Sequence, residues 1–179
     1  MKRLICIMIL VFLAGCMSSE DEWTREKQES VTTRILTNVS TSQAISAAER
    51  VFRLADSKDV SFDYRPNGFV AERKSFFYFI IGGDFTTYVF DVHASAVQGG
   101  TRLTMRASAK STTTTVAGVS PSGGALNRAE GLYQLFFSRL AFLLGQSSKW
   151  ISCEDARTEI GTRLFHFEPL CLNADDERP

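Results

Sequence analysis

Between residues 60 and 109 apolar and polar positions alternate. Val60, Phe62 and Tyr64 interleave with Ser61, Asp63 and Arg65; Tyr88, Phe90 and Val92 share one face of Phe85–Ala94; Leu103, Met105 and Ala107 oppose Arg102, Thr104 and Arg106. A period of two predicts strands with one dry and one wet face. Pro66-Asn67-Gly68, Gly82-Gly83-Asp84 and Gln98-Gly99-Gly100 punctuate the runs. They predict tight turns, since Asn and Gly tolerate positive φ. Phe69–Lys74 returns as the partner of Val60–Arg65, and either runs on into Phe76–Ile81 or bends near Lys74-Ser75. The whole reads as an antiparallel meander.

Elsewhere the period is helical. After a β-branched first strand in VTTRILTNV (31–39), Ser40 and Gln43 have the spacing of a capping box. Ile45, Ala48, Phe52 and Ala55 then share one face, which predicts a helix over 41–56 with Glu49, Arg50 and Arg53 in water. A second helix is expected over Ala125–Leu144, striped by Leu126, Tyr133, Phe136, Phe137, Leu140, Leu143 and Leu144. Arg128, Glu130, Gln134 and Arg139 lie off that stripe, and Gly145 is a natural stop. This helix is too charged to span a membrane and should pack across the dry face. Between strand and helix, KSTTTTVAGVSPSGG (110–124) has no core pattern and reads as an edge extension followed by a flexible contact loop. The predicted fold class is α+β: an antiparallel sheet, in the order strand, helix, meander, long helix, packed against two helices over residues 31–149. This layout resembles the helix-grip domains of some outer-membrane assembly lipoproteins. The resemblance is of layout alone and carries no functional residue.

FFYFII (76–81) breaks the alternation, because both of its faces are apolar. The expectation is a central strand, or one covered on both sides. The competing reading is an exposed aromatic face for a partner, a lipid or a hydrophobic ligand.

The N-terminus follows a different logic. Lys2 and Arg3 precede the uncharged run LICIMILVFL, which at ten residues is too short for a membrane span of about 20. It has the form of a signal-peptide core. Leu13-Ala14-Gly15-Cys16 closes it and resembles the lipobox of bacterial lipoproteins. That resemblance implies a diacylglyceryl group on the Cys16 thiol, cleavage between Gly15 and Cys16, and usually acylation of the new amino terminus. A secretory signal with an incidental cysteine and an uncleaved anchor helix are the alternatives. One acyl chain binds a bilayer only marginally, whereas two or three make a durable anchor. Met17 stands where an aspartate tends to retain lipoproteins in the inner membrane of Gram-negative bacteria. The expected location is therefore the outer membrane, facing the periplasm. Residues 1–15 are read as the signal and 16–30 as a polar lipidated tether, in which Trp23 meets the bilayer interface, docks on the domain or is an ordinary loop tryptophan.

Charge narrows the partners. Lys+Arg and Asp+Glu both number 20, so no basic footprint points to nucleic acid. Loss of Lys2 and Arg3 with the signal leaves 18 basic against 20 acidic residues, a net −2, so the membrane grip falls to the lipid. Fourteen phenylalanines supply a large core.

Of four cysteines, the lipobox resemblance implies that Cys6 leaves with the signal and Cys16 takes lipid. Cys153 and Cys171 then remain, and in an oxidising compartment they are expected to pair and staple a tail over 150–179. Two reduced buried thiols or a metal site are the rivals, and no CxxC or HxxxH pair lies nearby. Phe165 and Phe167, alternating with His166, suggest a short strand in that tail.

No P-loop, GxGxxG or HExxH motif occurs. His93 beside Asp91 reads as a solvated strand face, and Glu49 and Asp56 share a helix without forming a paired-carboxylate site. Arg102 and Arg106, on one wet face, suit an anion or an acidic partner. No catalytic residue, metal or cofactor is called for. Two function classes follow: an assembly or interaction lipoprotein that contacts an envelope protein through 110–124 and the wet face, or a carrier or sensor of a hydrophobic ligand held between sheet and long helix.

Overall fold

The computed structural model describes residues 23–55, 58–80, 82–116, 118–121, 125–126, 129–160 and 168–171. The Thr24 hydroxyl accepts a hydrogen bond from the Lys27 amide at 3.2 Å and starts α1 (Arg25–Thr32). The stretch expected to be a tether through residue 30 is thus helical from Arg25. Trp23 docks on the domain, its ring 6.0 Å from that of Tyr133, and Lys27 pairs with Glu130 at 2.7 Å. Val31 and Thr32 end the helix buried, so β1 is Thr33–Thr37 and begins two residues later than the β-branched pattern suggested.

The capping box at Ser40 and Gln43 forms as expected: the Gln43 amide donates to Ser40 Oγ at 3.3 Å, and the Ser40 amide to Gln43 Oε1 at 2.9 Å. It opens α2 (Thr41–Ala55), which buries Ala44, Ala47, Ala48, Val51, Phe52 and Ala55. The meander follows as β2 (Val60–Arg65), β3 (Gly68–Phe79), β4 (Gly82–Val97) and β5 (Gly100–Thr115). β6 (Gly118–Pro121), β7 (Ala125–Leu126), α3 (Glu130–Leu143), α4 (Cys153–Glu159) and α5 (Glu168–Cys171) complete the described elements.

The sheet is antiparallel, ordered β1-β5-β4-β3-β2. β5 pairs with β4 along its whole length, so its other edge is shared. β1 covers Gly100–Thr104, β7 covers Ser108 and Ala109, and β6 covers Thr112–Thr115. In the gap between β1 and β7, the Ala107 amide donates to Tyr133 Oη at 3.3 Å. An edge donor that no strand reaches is thereby satisfied from α3.

The dry face carries Phe69, Ala71, Phe90, Val92, Ala94, Leu103, Met105 and Ala107, all buried, as the alternation predicted for β4 and β5. α2 and α3 cover it. Phe52 sits between the layers, 4.8 Å from Phe90, 5.5 Å from Phe136 and 6.0 Å from Phe69. Each such side chain contributes about 1.5–3 kcal/mol by burial. The fold class is α+β, as the patterning predicted.

Four local expectations need correction. First, β5 runs on to Thr115, the edge extension expected of the Thr run, but residues 118–121 are not loop: they form β6, which pairs with Thr112–Thr115. Second, Ala125–Leu126 is strand, so the long helix starts at Glu130. Third, the Pro66-Asn67 turn uses no positive φ. Gly68 is needed instead because a Cβ there would lie 1.9 Å from the Val92 carbonyl oxygen.

Fourth, the described side chains of FFYFII are not those of a covered central strand. β3 continues unbroken through Phe76 and Phe79, then turns at Ile80, and runs beyond the two helices. Tyr78 is 78% exposed, Phe85 across from Phe76 is 52% exposed, and Ile80 is fully exposed. The strands of β3, β4 and β5 outlast the layer that would have buried them.

Candidate functional site

Cys16 lies outside the described residues. Cys153 and Cys171 are joined in a disulfide with Cα atoms 5.7 Å apart. Ser152 and Asp155 make a capping box that starts α4 at Cys153. The segment around Phe165, His166 and Phe167 is outside the described residues.

Two buried arginines hold the tail. Arg139, which lies off the apolar stripe, is fully buried. Its Nε donates to the Ile151 carbonyl at 3.0 Å, Nη1 to the Leu170 carbonyl at 3.3 Å, and Nη2 approaches Cys153 Sγ at 3.3 Å. The guanidinium stacks 4.8 Å above Trp150. From β3, Arg73 Nη1 donates to the Pro169 carbonyl at 2.7 Å. α3 is therefore covered by the sheet on one side and by the tail on the other. No stripe reading of α3 alone reveals that second cover.

A groove of about 520 Å³ opens between β1 and α3, lined by Ile35, Leu36, Phe137, Ala141 and Ile151, with Lys149 among its polar residues. Lys149 is ion-paired to Glu159, which raises its pKa. In an antiparallel pair alternate residues turn their backbone groups outward. Here Thr33 and Thr37 do so, and side chains cap them: Arg34 donates to the Thr33 carbonyl, and Gln146 Nε2 to the Thr37 carbonyl at 3.0 Å. Capping of this kind blunts an edge strand against uncontrolled pairing.

On the other side of β1 lies a smaller cleft of about 230 Å³, where α1 meets the wet face. Arg102 and Arg106, singled out by the strand pattern, line it together with Arg25 from α1. Glu29, Thr32, Thr33 and Thr104 add polar groups, and the Thr33 and Thr104 hydroxyls are 3.0 Å apart. Three arginines against one glutamate suit a carboxylate or another anion by charge-assisted hydrogen bonding. Arg25 was not legible as a site residue because the helix that presents it reads as polar tether.

His93 and Asp91 are both exposed, and Asp91 lies 3.8 Å from Arg65. Glu49 accepts from Arg53 and from the Tyr64 hydroxyl; Asp56 is outside the described residues. No group of three or more His, Cys, Asp or Glu among the described residues is placed to hold a metal. No described helix is long and apolar enough to cross a membrane. The chain matches no protein-family model, no curated protein and no solved structure.

Proposed function

We propose that the protein is a lipid-anchored bacterial envelope lipoprotein whose α+β domain is a non-catalytic interaction module for another envelope protein. The observation that carries this reading is the order of parts at the N-terminus: Lys2-Arg3, ten uncharged apolar residues, then Leu13-Ala14-Gly15-Cys16. Lipid on Cys16 supplies the membrane grip that a near-neutral domain lacks. The Cys153–Cys171 bridge supports export, because disulfides persist in oxidising compartments. With Met17 after the cysteine, the proposed location is the outer membrane facing the periplasm.

The arginine cleft of Arg25, Arg102 and Arg106 is the proposed contact for an acidic segment of the partner. Crosslinking in intact membranes, followed by purification, should recover one stable protein partner. Arg102→Glu/Arg106→Glu should lose that partner without loss of folded protein. Recovery of the wild type as a clean monomer under these conditions would overturn the reading.

The second reading, a hydrophobic ligand, shifts its place. Between sheet and α3 the space is occupied by Phe52, in ring contact with both Phe90 and Phe136. The β1–α3 groove is the space that favours it: about 520 Å³ falls within the roughly 300–1,000 Å³ of small-molecule sites. Native mass spectrometry of the membrane-extracted protein should then show a bound lipid-sized mass that Phe137→Glu removes. A ligand-free mass would sink this second reading.

A further inference from the structure

We propose that the free end of the β3–β4–β5–β6 arm is a second point of membrane contact, seated in the same bilayer that takes the lipid of Cys16. The proposal rests on the lipid-anchor reading.

Among the described residues seven large apolar side chains are exposed, and five of them lie at this end: Tyr78, Ile80, Phe85, Val116 and Val119. Register explains the clustering. Phe79 pairs with Gly82, Gly82 with Thr115, and Thr115 with Gly118. The β3–β4 and β5–β6 turns therefore sit side by side, and each carries one fully or nearly fully exposed aliphatic residue, Ile80 or Val116 (89%). Phe76 packs on Tyr78 and Phe85 just behind them. The Asp84 carboxylate accepts from Ser111 and Thr113 within the sheet, so the charge nearest the tip is already engaged. Adjoining apolar turns form a convex wedge with a tyrosine behind it. An aliphatic point backed by an amphipathic ring is the chemistry of a bilayer interface.

The path of the chain selects the occupant. β5 runs from Gly100 towards the tip, and β1 runs antiparallel to it, from Thr33 opposite Thr104 to Thr37 opposite Gly100. α1 enters β1 from the tip side, and Trp23 packs on Tyr133 at the level of Ala107. The described chain therefore begins, at Trp23, on the tip side of β1. From Ala107 to Thr115 is eight strand residues, about 26 Å at about 3.3 Å each. From Trp23 back to Cys16 is seven residues, a reach of at most about 25 Å. Fully extended towards the tip, that stretch would bring the Cys16 lipid about level with Thr115, so lipid and wedge share one bilayer only with the stretch near its full reach. Tethered there, the wedge meets the bilayer at high effective concentration, so a contact too weak to bind alone still sets orientation. The arginine cleft, towards the start of β5 and away from the tip, then faces the aqueous space beside the membrane.

The test uses the full lipidated chain reconstituted in phosphatidylethanolamine/phosphatidylglycerol vesicles that contain a spin-labelled phospholipid. A thiol-reactive environment-sensitive fluorophore is placed at Ile80→Cys, at Val116→Cys, and at Gln98→Cys in the β4–β5 turn at the opposite end. The tip labels should shift to the blue and lose most of their emission to the quencher, and the Gln98 label should do neither. Ile80→Asp introduced into the Val116→Cys chain should restore the emission. Palmitate incorporation is read on the same preparation, which separates a missing anchor from a missing tip contact. Incorporation with unquenched tip labels overturns the proposal and leaves the anchor standing. No incorporation removes the anchor and the proposal with it. Quenching absent in lipid, but photo-crosslinking from position 80 to a protein in native membranes, also overturns it, in favour of a protein partner.

Discussion

Arg139 and the Cys153–Cys171 bridge hold the same segment, and a double-mutant cycle should reveal the coupling. Arg139→Met keeps an apolar stem and removes the donors to two carbonyls, those of Ile151 and Leu170. Each carbonyl left buried without a donor costs about 1–3 kcal/mol, so the substitution should cost about 2–6 kcal/mol. Cys153→Ala/Cys171→Ala opens a loop with a sequence separation of 18. Its removal should cost about 3 kcal/mol by chain entropy. Once the bridge is gone, α5 can leave the surface of α3, and the Leu170 carbonyl finds water. The Leu170 share of the Arg139→Met cost then disappears, so the triple substitution should fall short of the sum by at least about 1 kcal/mol. Urea unfolding followed by tryptophan emission measures this, because the chain has two tryptophans: Trp150 lies under Arg139, and Trp23 packs on Tyr133. Additivity within about 0.5 kcal/mol would show that arginine and bridge act independently. It would refute the view that α3 is clamped through the tail.

Three further outcomes are expected. Ser40→Ala should lower stability by about 1 kcal/mol, by loss of the reciprocal cap on α2, and the urea midpoint should fall with unchanged slope. Gly68→Ala should cost on the order of 3 kcal/mol, because a methyl group 1.9 Å from the Val92 carbonyl oxygen must push β3 and β4 apart; a near-neutral melt would contradict the pairing of Gly68 with His93. Burial raises the Tyr133 pKa above 10.0, against smaller opposing effects of the Ala107 amide and Arg106. The phenol therefore ionises more readily unfolded than folded. Its stabilisation is complete below about pH 10 and is lost as pH rises through the folded value. Tyr133→Phe should be less stable at pH 8, where the Ala107 amide loses its acceptor, and should decline less steeply above pH 10; parallel curves would argue against the buried phenol.

Much of the sheet was legible because its signal is local. β4 and β5 alternate cleanly, and their dry faces are the predicted ones. α2 could be placed because its cap and its apolar face agree. α1 could not, since its polar residues bury little, and its stability comes from Trp23 meeting Tyr133 more than 100 residues away. The burial of Arg139 was not legible on α3 because the tail that covers it lies later in the chain. FFYFII misled for a related reason. A run apolar on both faces is usually enclosed, but the length of β3 relative to α2 and α3 is a property of the assembled layers. Of the candidate site, Arg102 and Arg106 were visible as a pair on one wet face, whereas Arg25 required α1. The Cys153–Cys171 pairing followed from subtraction of two cysteines with other fates, which no distance along the chain could have supplied.

The central claim is that Cys16 carries lipid and holds this domain at a membrane. Cells expressing the wild-type chain or Cys16→Ser, grown with labelled palmitate, test it directly. The wild type should take up label, run as the shorter processed form and fractionate with membranes, while Cys16→Ser should remain unlabelled. Equal labelling of the two chains, or none in either, would contradict the claim.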